Sequence, residues 1–231
     1  MHRFFCKTTG SPGEEAALSS AEQKHLFKIL RAVPGDQVEL LDGNGKVTSA
    51  EVSSGKALKI VSVKQHSKPK PDLYLFVAPP KRQKMDQLLR QCSEVGIGHI
   101  HPILTKRSVS SPDKISERWI TLLQEGCKQS GNPFLPHIGA PMSFNNFLKM
   151  TKEQNISAFF GAIRGETPSP ENITGDIAWI VGPEGGFTEE EEDQMLTAGV
   201  KPLRLGSYVL RVETAVICGA SLLNFLSNRG D

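Results

Sequence analysis

Several things are scarce in this chain, and each scarcity narrows what it can be. No apolar run approaches the roughly 18 residues a membrane helix needs. The N-terminus lacks the basic, apolar and small-residue succession that directs secretion. A cytoplasmic protein with no membrane partner is therefore expected. Only four cysteines, Cys6, Cys92, Cys127 and Cys218, occur in 231 residues, and they form no Cys-x-x-Cys pair. They read as buried thiols in a reducing compartment. Charge of one sign is also missing: 27 Lys and Arg against 25 Asp and Glu leave a net +2. That small excess permits nucleic-acid binding without requiring it. No repeat or low-complexity tract is present. Two nucleotide signatures are absent: Phe187 follows Gly186 where a Walker loop needs Lys, and no Gly-x-Gly-x-x-Gly occurs. No nucleophile elbow supports a Ser-His-Asp arrangement. His99 and His101 share a strand face with no further ligand nearby, so no metal centre is expected.

What is present is concentrated in the last third. Ile177 to Val181 is a short apolar run that reads as a buried strand. Gly182-Pro183-Glu184-Gly185-Gly186 stops it and lets a ligand approach the main chain closely. Thr188 and Glu191 form a capping-box pair that opens a helix, and four consecutive acids suit its positive end. Those acids would repel phosphate, so a ligand with a positive or neutral reacting end fits better. Gly199 ends the helix. Lys201 to Leu205 is a second strand, broken by Gly206. Val216, Ala220, Leu223 and Leu226 then recur at helical spacing. Arg211 and Glu213 sit at the mouth of the sheet, where open α/β sheets bind ligands. They read either as site residues or as a surface ion pair.

The rest divides at Ser67-Lys68-Pro69-Lys70-Pro71, a linker by its prolines. Residues 1–67 read as a small β-rich domain. Arg3 to Lys7, Gln37 to Leu41, Thr48 to Val52 and Ala57 to Val63 are strands. Asp42-Gly43-Asn44-Gly45 is a hairpin turn. Ser19 and Glu22 form a capping box for a helix to about Ala32. Leu26, Ile29, Leu30 and Val33 fall on one side at 100° per residue, with Lys24, Lys28 and Arg31 opposite. Those cations are either a solvated face or an RNA contact. Residues 72–231 alternate strands and helices, which predicts a mostly parallel α/β sheet covered on both faces. Lys81, Arg82 and Lys84 follow a strand end and read as phosphate contacts or as a solvated helix start.

The pair Gly-Pro-Glu-Gly-Gly-Phe (182–187) and Leu-Gly … Leu-Arg-Val-Glu-Thr-Ala (205–215) resembles the bacterial small-subunit ribosomal RNA uridine-N3 methyltransferases, members of the SPOUT superfamily. Weaker matches run through nearly the whole chain, among them Arg3-Phe4-Phe5, Gly35-Asp36, Ser93-Glu94-Val95-Gly96, Arg107-Ser108 and Gln129-Ser130-Gly131. The family often carries Arg where this chain has Asn132, which puts a charge contact there in doubt. The resemblance implies a PUA-like or OB-like N-terminal barrel that contacts RNA, with Arg3 joining the cations named above. It also implies a C-terminal SPOUT α/β domain with a deep trefoil knot, and a homodimer. S-adenosylmethionine is the implied methyl donor. It would lie among Gly161 at the end of one strand, the loop with Gly182, Glu184, Gly185 and Gly186, and the segment with Leu205, Gly206, Leu210, Thr214 and Ala215. The implied substrate is a uridine of 16S rRNA within the small ribosomal subunit.

Uracil N3 holds a proton and attacks poorly until it leaves. Arg211 is the candidate for stabilising negative charge on the uracil carbonyls. Glu213 is the candidate base, or the group that orients Arg211. Two rivals stand: ribose 2′-O methylation, disfavoured by Leu-Arg-Val-Glu-Thr-Ala at the last helix, and a non-catalytic RNA-binding protein, disfavoured by the intact glycine loops.

Overall fold

The computed structural model describes residues 1–7, 10–154, 156–166, 173 and 175–227. Two compact units emerge: Met1–Lys68 with Gln124–Leu135, and Pro69–Leu123 with Pro136–Asp231.

In the first unit, five strands make one sheet: β1 (His2–Phe5), β2 (Glu15–Ala16), β3 (Gln37–Leu41), β4 (Lys46–Val52) and β5 (Leu58–Gln65), ordered β1-β3-β4-β5-β2. β1 runs parallel to β3 with Phe4 opposite Leu40, and the other pairs are antiparallel. Asp42 closes the β3–β4 turn by accepting from the amides of Asn44 and Lys46 at 2.7 and 2.9 Å. Phe4, Leu26, Leu40, Ala50 and Ile60 are buried together as its core. Each of the larger of these side chains contributes roughly 1.5–3 kcal/mol of burial.

The helix after β2 departs from expectation. Ser19 caps α1 (Ser20–Lys24), but Glu22 does not reach back to complete a capping box. Its carboxylate accepts instead from Lys128 Nζ at 2.8 Å. From His25 to Ile29 the chain winds as a π turn, with Leu30 N donating to His25 O at 3.0 Å. That wider winding rotates the apolar stripe apart. Leu26 is buried and Phe27 and Leu30 pack beside it, while Ile29 and Val33 are 65% and 58% exposed. Arg31 leaves the helix in the left-handed region, at φ 57°. Asn132 turns its side chain inward and accepts from Phe134 N at 2.9 Å, an Asx turn where a cation was in question.

The second unit is a parallel sheet of seven strands: β6 (Leu73–Val77), β7 (His99–Leu104), β8 (His137–Ile138), β9 (Met142–Ser143), β10 (Ser157–Glu166), β11 (Ile177–Val181) and β12 (Lys201–Leu203). The order is β12-β10-β11-β6-β7-β8, with β9 paired to β7. β11 thus lies between β10 and β6, and all five of its residues are buried. Helices α2 (Arg82–Glu94), α4 (Phe144–Glu153), α5 (Glu189–Thr197) and α6 (Val212–Ser227) belong to this unit, together with the first residues of α3 (Glu117–Ser130). α6 packs on β11, β6 and α2. Its approach requires Gly219, where a Cβ would stand 2.3 Å from the Trp179 ring. Phe76, Phe144, Phe147, Phe160 and Phe187 form a second core.

Among the described residues, the His101 imidazole in this unit has no hydrogen-bond partner. His101 stacks on Phe76 at 5.1 Å, and both its ring nitrogens are buried without a hydrogen bond. Burial, with His99 and His137 nearby, holds its pKa down at about 4. Among the described residues no cluster of His, Cys, Asp or Glu has the geometry of a metal site. Cys6, Cys92 and Cys127 are buried, but Cys218 is exposed on α6. The 3.6-residue period of α6 gives Val216, Gly219, Ala220 and Leu223 to the core and turns Cys218 outward.

Candidate functional site

A cavity of about 510 Å³ opens at the carboxyl ends of β10, β11 and β12. Ligands of open α/β sheets bind at such ends, beside a change in strand order. The three segments expected around a donor all line it: Gly161 from β10, the loop from Gly182 to Phe187, and the segment from Leu205 to Arg211 with Ala215. Thr214 does not line it. α6 already begins at Val212, so Val212 and Ala215, three residues apart, turn to the cavity while Thr214 faces solvent.

The first loop is held from several directions. Gly186 N donates to Pro183 O at 2.9 Å, closing a turn that places Gly186 at φ 70°. Phe187 plunges into the core against Phe144 and Phe160. Thr188 and Glu191 complete a reciprocal capping box at the head of α5. The buried Glu191 carboxylate accepts from Thr188 N at 2.9 Å and, with its other oxygen, from Lys106 N at 2.8 Å. Arg107, three residues beyond the end of β7, donates to Gly185 O at 2.9 Å and Phe187 O at 3.1 Å. The adjacent Lys106 pairs with Glu190 on the surface; their hydrogen bond raises the pKa of the lysine and lowers that of the acid. The four acids therefore do different work: Glu191 is structural and Glu190 is a solvent-exposed partner.

The second loop is open. Arg204 Nε donates to Gly206 O at 2.9 Å, and Ala215 N to Arg211 O at 2.8 Å. Tyr208 and Val209 are 87% and 80% exposed at the rim. Arg211 is exposed and lines the cavity.

Glu213 does not meet Arg211 in an ion pair among the described residues. It points from the first turn of α6 toward Lys84, with Nζ and Oε2 3.7 Å apart, and that oxygen is buried with no hydrogen bond. Lys84 also stands 3.7 Å from Glu184 on the first loop. So Lys84, drawn in from α2, bridges two carboxylates beside the cavity, whereas Lys81 and Arg82 stay exposed. In the first unit, Lys24, Lys28 and Arg31 are exposed. Arg3 is engaged internally, donating to Glu39 at 2.8 Å and to the carbonyl of Lys128 at 3.2 Å. Neither Arg107 nor the Lys84 bridge follows from spacing, because their partners lie 78 or more residues away in sequence.

A parallel sheet with a cavity of glycine-rich main chain at its carboxyl edge defines a class, and similarity gives that class its name. The chain belongs to the RNA methyltransferase family: the model of the RNA methyltransferase domain matches residues 66–224, and that of the RNA methyltransferase PUA domain matches residues 18–62. Within it, the relatives carry the name ribosomal RNA small subunit methyltransferase E. The Synechocystis protein is 29% identical, covering 90% of this chain and 72% of its own. A Borreliella burgdorferi protein, ribosomal RNA small subunit methyltransferase E 2, is 30% identical over 84% of each. Among solved structures, the Neisseria gonorrhoeae enzyme bound to S-adenosyl methionine superposes with a TM-score of 0.86 at 26% identity, over 98% of both chains.

Proposed function

We propose that this chain transfers a methyl group from S-adenosylmethionine to N3 of a uridine in 16S rRNA of the small ribosomal subunit. The observation that carries the reading is the cavity itself: three main-chain segments converge on it, with Arg211 at its mouth and carboxylates beside it. Its walls suit the donor. Gly161, Gly182, Gly185, Gly186 and Gly206 present main chain rather than side chains, and Leu205, Leu210 and Ala215 give apolar surface for an adenine ring. Glu184 gives a carboxylate for a positively charged end. When bound, S-adenosylmethionine supplies an electrophilic methyl on a sulfonium.

The chain's own groups then have defined tasks. Holding uracil N3 about 3 Å from the methyl and in line with the departing bond is the first. Arg211 stabilises the negative charge that spreads to the uracil carbonyls as N3 loses its proton. Glu213 is our candidate to receive that proton; Lys84 Nζ stands 3.7 Å from its carboxylate. The uridine must leave its stack to expose N3, and the open rim at Tyr208 and Val209 leaves room for it. The first unit, read as a PUA-like barrel over residues 1–67, holds RNA backbone through Lys24, Lys28 and Arg31; Lys81 and Arg82 do the same beside the site.

The insertion of β11 between β10 and β6, with α6 folded back onto β11 and β6, agrees with a knotted chain path over the SPOUT domain, residues 72–231. Exposed apolar groups at the rim and on α6 (Ile163, Tyr208, Val209 and Phe225) favour a homodimer with the cavity at its interface. A cytoplasmic location follows from the substrate; no helix among the described residues is long and apolar enough to cross a membrane.

The test is nucleoside mass spectrometry of small-subunit rRNA from cells with and without the gene. Loss of 3-methyluridine alone is the expected result. Loss of a ribose methylation with 3-methyluridine intact would keep the family and overturn the chemistry.

A further inference from the structure

We propose that a second cleft, in the first unit, binds an unstacked RNA nucleobase; this rests on the reading that the chain acts on RNA. The cleft measures about 360 Å³ and is walled by Phe27, Ala32, Val33, Pro34, Val52 and Lys56. It lies between the end of the π turn and the β4–β5 hairpin. Its size falls in the range of small-ligand pockets, roughly 300–1,000 Å³.

Three features select a base as the occupant. The first is shape and chemistry: an aromatic ring and a proline make apolar walls, and Lys56 Nζ stands over the Phe27 ring, 5.8 Å from its centroid. A flat π face below and a cation above match a base with its attached phosphates. The second is charge. Lys24, Lys28, Arg31 and Lys56 are all exposed, and none has an ion-pair partner among the described residues. The nearby Asp36 carboxylate is occupied, accepting from Val33 N at 2.8 Å. The third is backbone strain. Every left-handed position among the described residues is glycine except two, Arg31 at φ 57° and Lys56 at φ 67°. A side chain there carries a penalty that glycine would remove. Both exceptions are cations, one lining the cleft and one adjoining its Ala32 wall. Strain kept at a pair of matching side chains points to use rather than to folding.

The pocket adds something the surface cations lack. Phosphate contacts position RNA, while a base in a slot fixes which nucleotide sits where.

The full chain, without donor, would be titrated by fluorescence anisotropy with a labelled ten-nucleotide oligouridine and with a base-free oligomer of equal length. Oligouridine is expected to bind about ten-fold more tightly than its base-free counterpart, the effect of one stacked base. Phe27→Leu, which keeps an apolar packing group, should remove most of that margin and leave base-free binding unchanged. Lys56→Gly should weaken both ligands while its melting temperature stays the same or rises. Should Phe27→Leu fail to fold, photocrosslinking of wild-type protein with a 4-thiouridine ten-mer gives the location; peptides spanning residues 27–34 or 53–56 are expected. Equal affinity for both oligomers, or crosslinks confined to residues 81–84 and 205–211, would overturn the proposal and leave the cleft to a protein partner. None of these readouts requires methyl transfer, so they fail or succeed independently of the catalytic reading.

Discussion

The two walls of the cavity at the carboxyl edge of the parallel sheet are built on opposite plans. The wall from Gly182 to Phe187 is tied down by Arg107, by the buried Glu191 and by Phe187 in the core. The wall from Leu205 to Arg211 is exposed along most of its length, and among the described residues no hydrogen bond joins Leu205–Leu210 to another element. One wall is a preformed mould, which lowers the ordering cost of binding a small ligand. The other is free to settle when a large substrate or a second subunit arrives. The lesson is a contrast in rigidity: on the proposed reading the anchored wall offers the donor a fixed surface, and the open wall, which adds Leu205 and Leu210 to the same cavity, is the one that can also admit the reacting base.

The sharpest way to break that comparison is Arg211→Ala. Methyl transfer should fall by about 10²–10³-fold, the usual loss for one group that stabilises developing charge. Donor affinity, measured by calorimetry, should stay within about two-fold. Equal losses in both would mean that Arg211 itself holds the donor. Acid comes next, because it acts on the unit beneath both walls. The folded pKa of His101 is near 4 against an ordinary 6.5, so as pH drops below 6.5 the unfolded chain takes up the proton first. Stability is then lost progressively from pH 6.5 down to about 4, by up to about 3 kcal/mol, and is flat outside that window. Thermal melts across the window should show this slope in wild type and not in His101→Leu.

Glu191→Ala tests the anchored wall directly. Two amides lose their acceptor, and the melt should register a loss of about 1–3 kcal/mol together with weaker donor binding. Unchanged donor affinity in a destabilised protein would show that the anchoring serves the fold alone. Hydrogen exchange on the free protein should find the amide of Gly186 protected and those of residues 206–209 exchanging at once. The smallest effect belongs to Lys106→Ala. Its pair with Glu190 is solvent-exposed, and such pairs add little, so no measurable change in melting temperature is expected.

Local signals were the legible ones. β3 and β11 run from Gln37 to Leu41 and from Ile177 to Val181, because strand ends marked by Asp-Gly or Gly-Pro are set by neighbouring residues. The Thr188–Glu191 cap was equally readable, being complete within four residues. What escaped was non-local or irregular. A π turn leaves no mark in composition, and one such turn was enough to put Ile29 and Val33 outside. The glutamate of the apparent box at Ser19 was claimed by Lys128, more than a hundred residues on. The Lys84 bridge and the Arg107 clamp depend on how strands are ordered in the sheet, which periodicity does not encode. The glycine loops themselves were visible, but only resemblance, not spacing, tied Gly161 to them.

Trp179 has a consequence beyond packing. Its ring is wholly buried between Gly161 and Gly219, and its indole N–H donates to the carbonyl of Ala215 at 3.1 Å. Gly161 and Ala215 both line the cavity. The chain has only one other tryptophan, Trp119 on α3. The fold thus offers an optical gauge: with Trp119 replaced by Phe, movement of the head of α6 would stretch or release the indole hydrogen bond, and a change in the ultraviolet emission of this one ring would report on the occupancy of the pocket without any label.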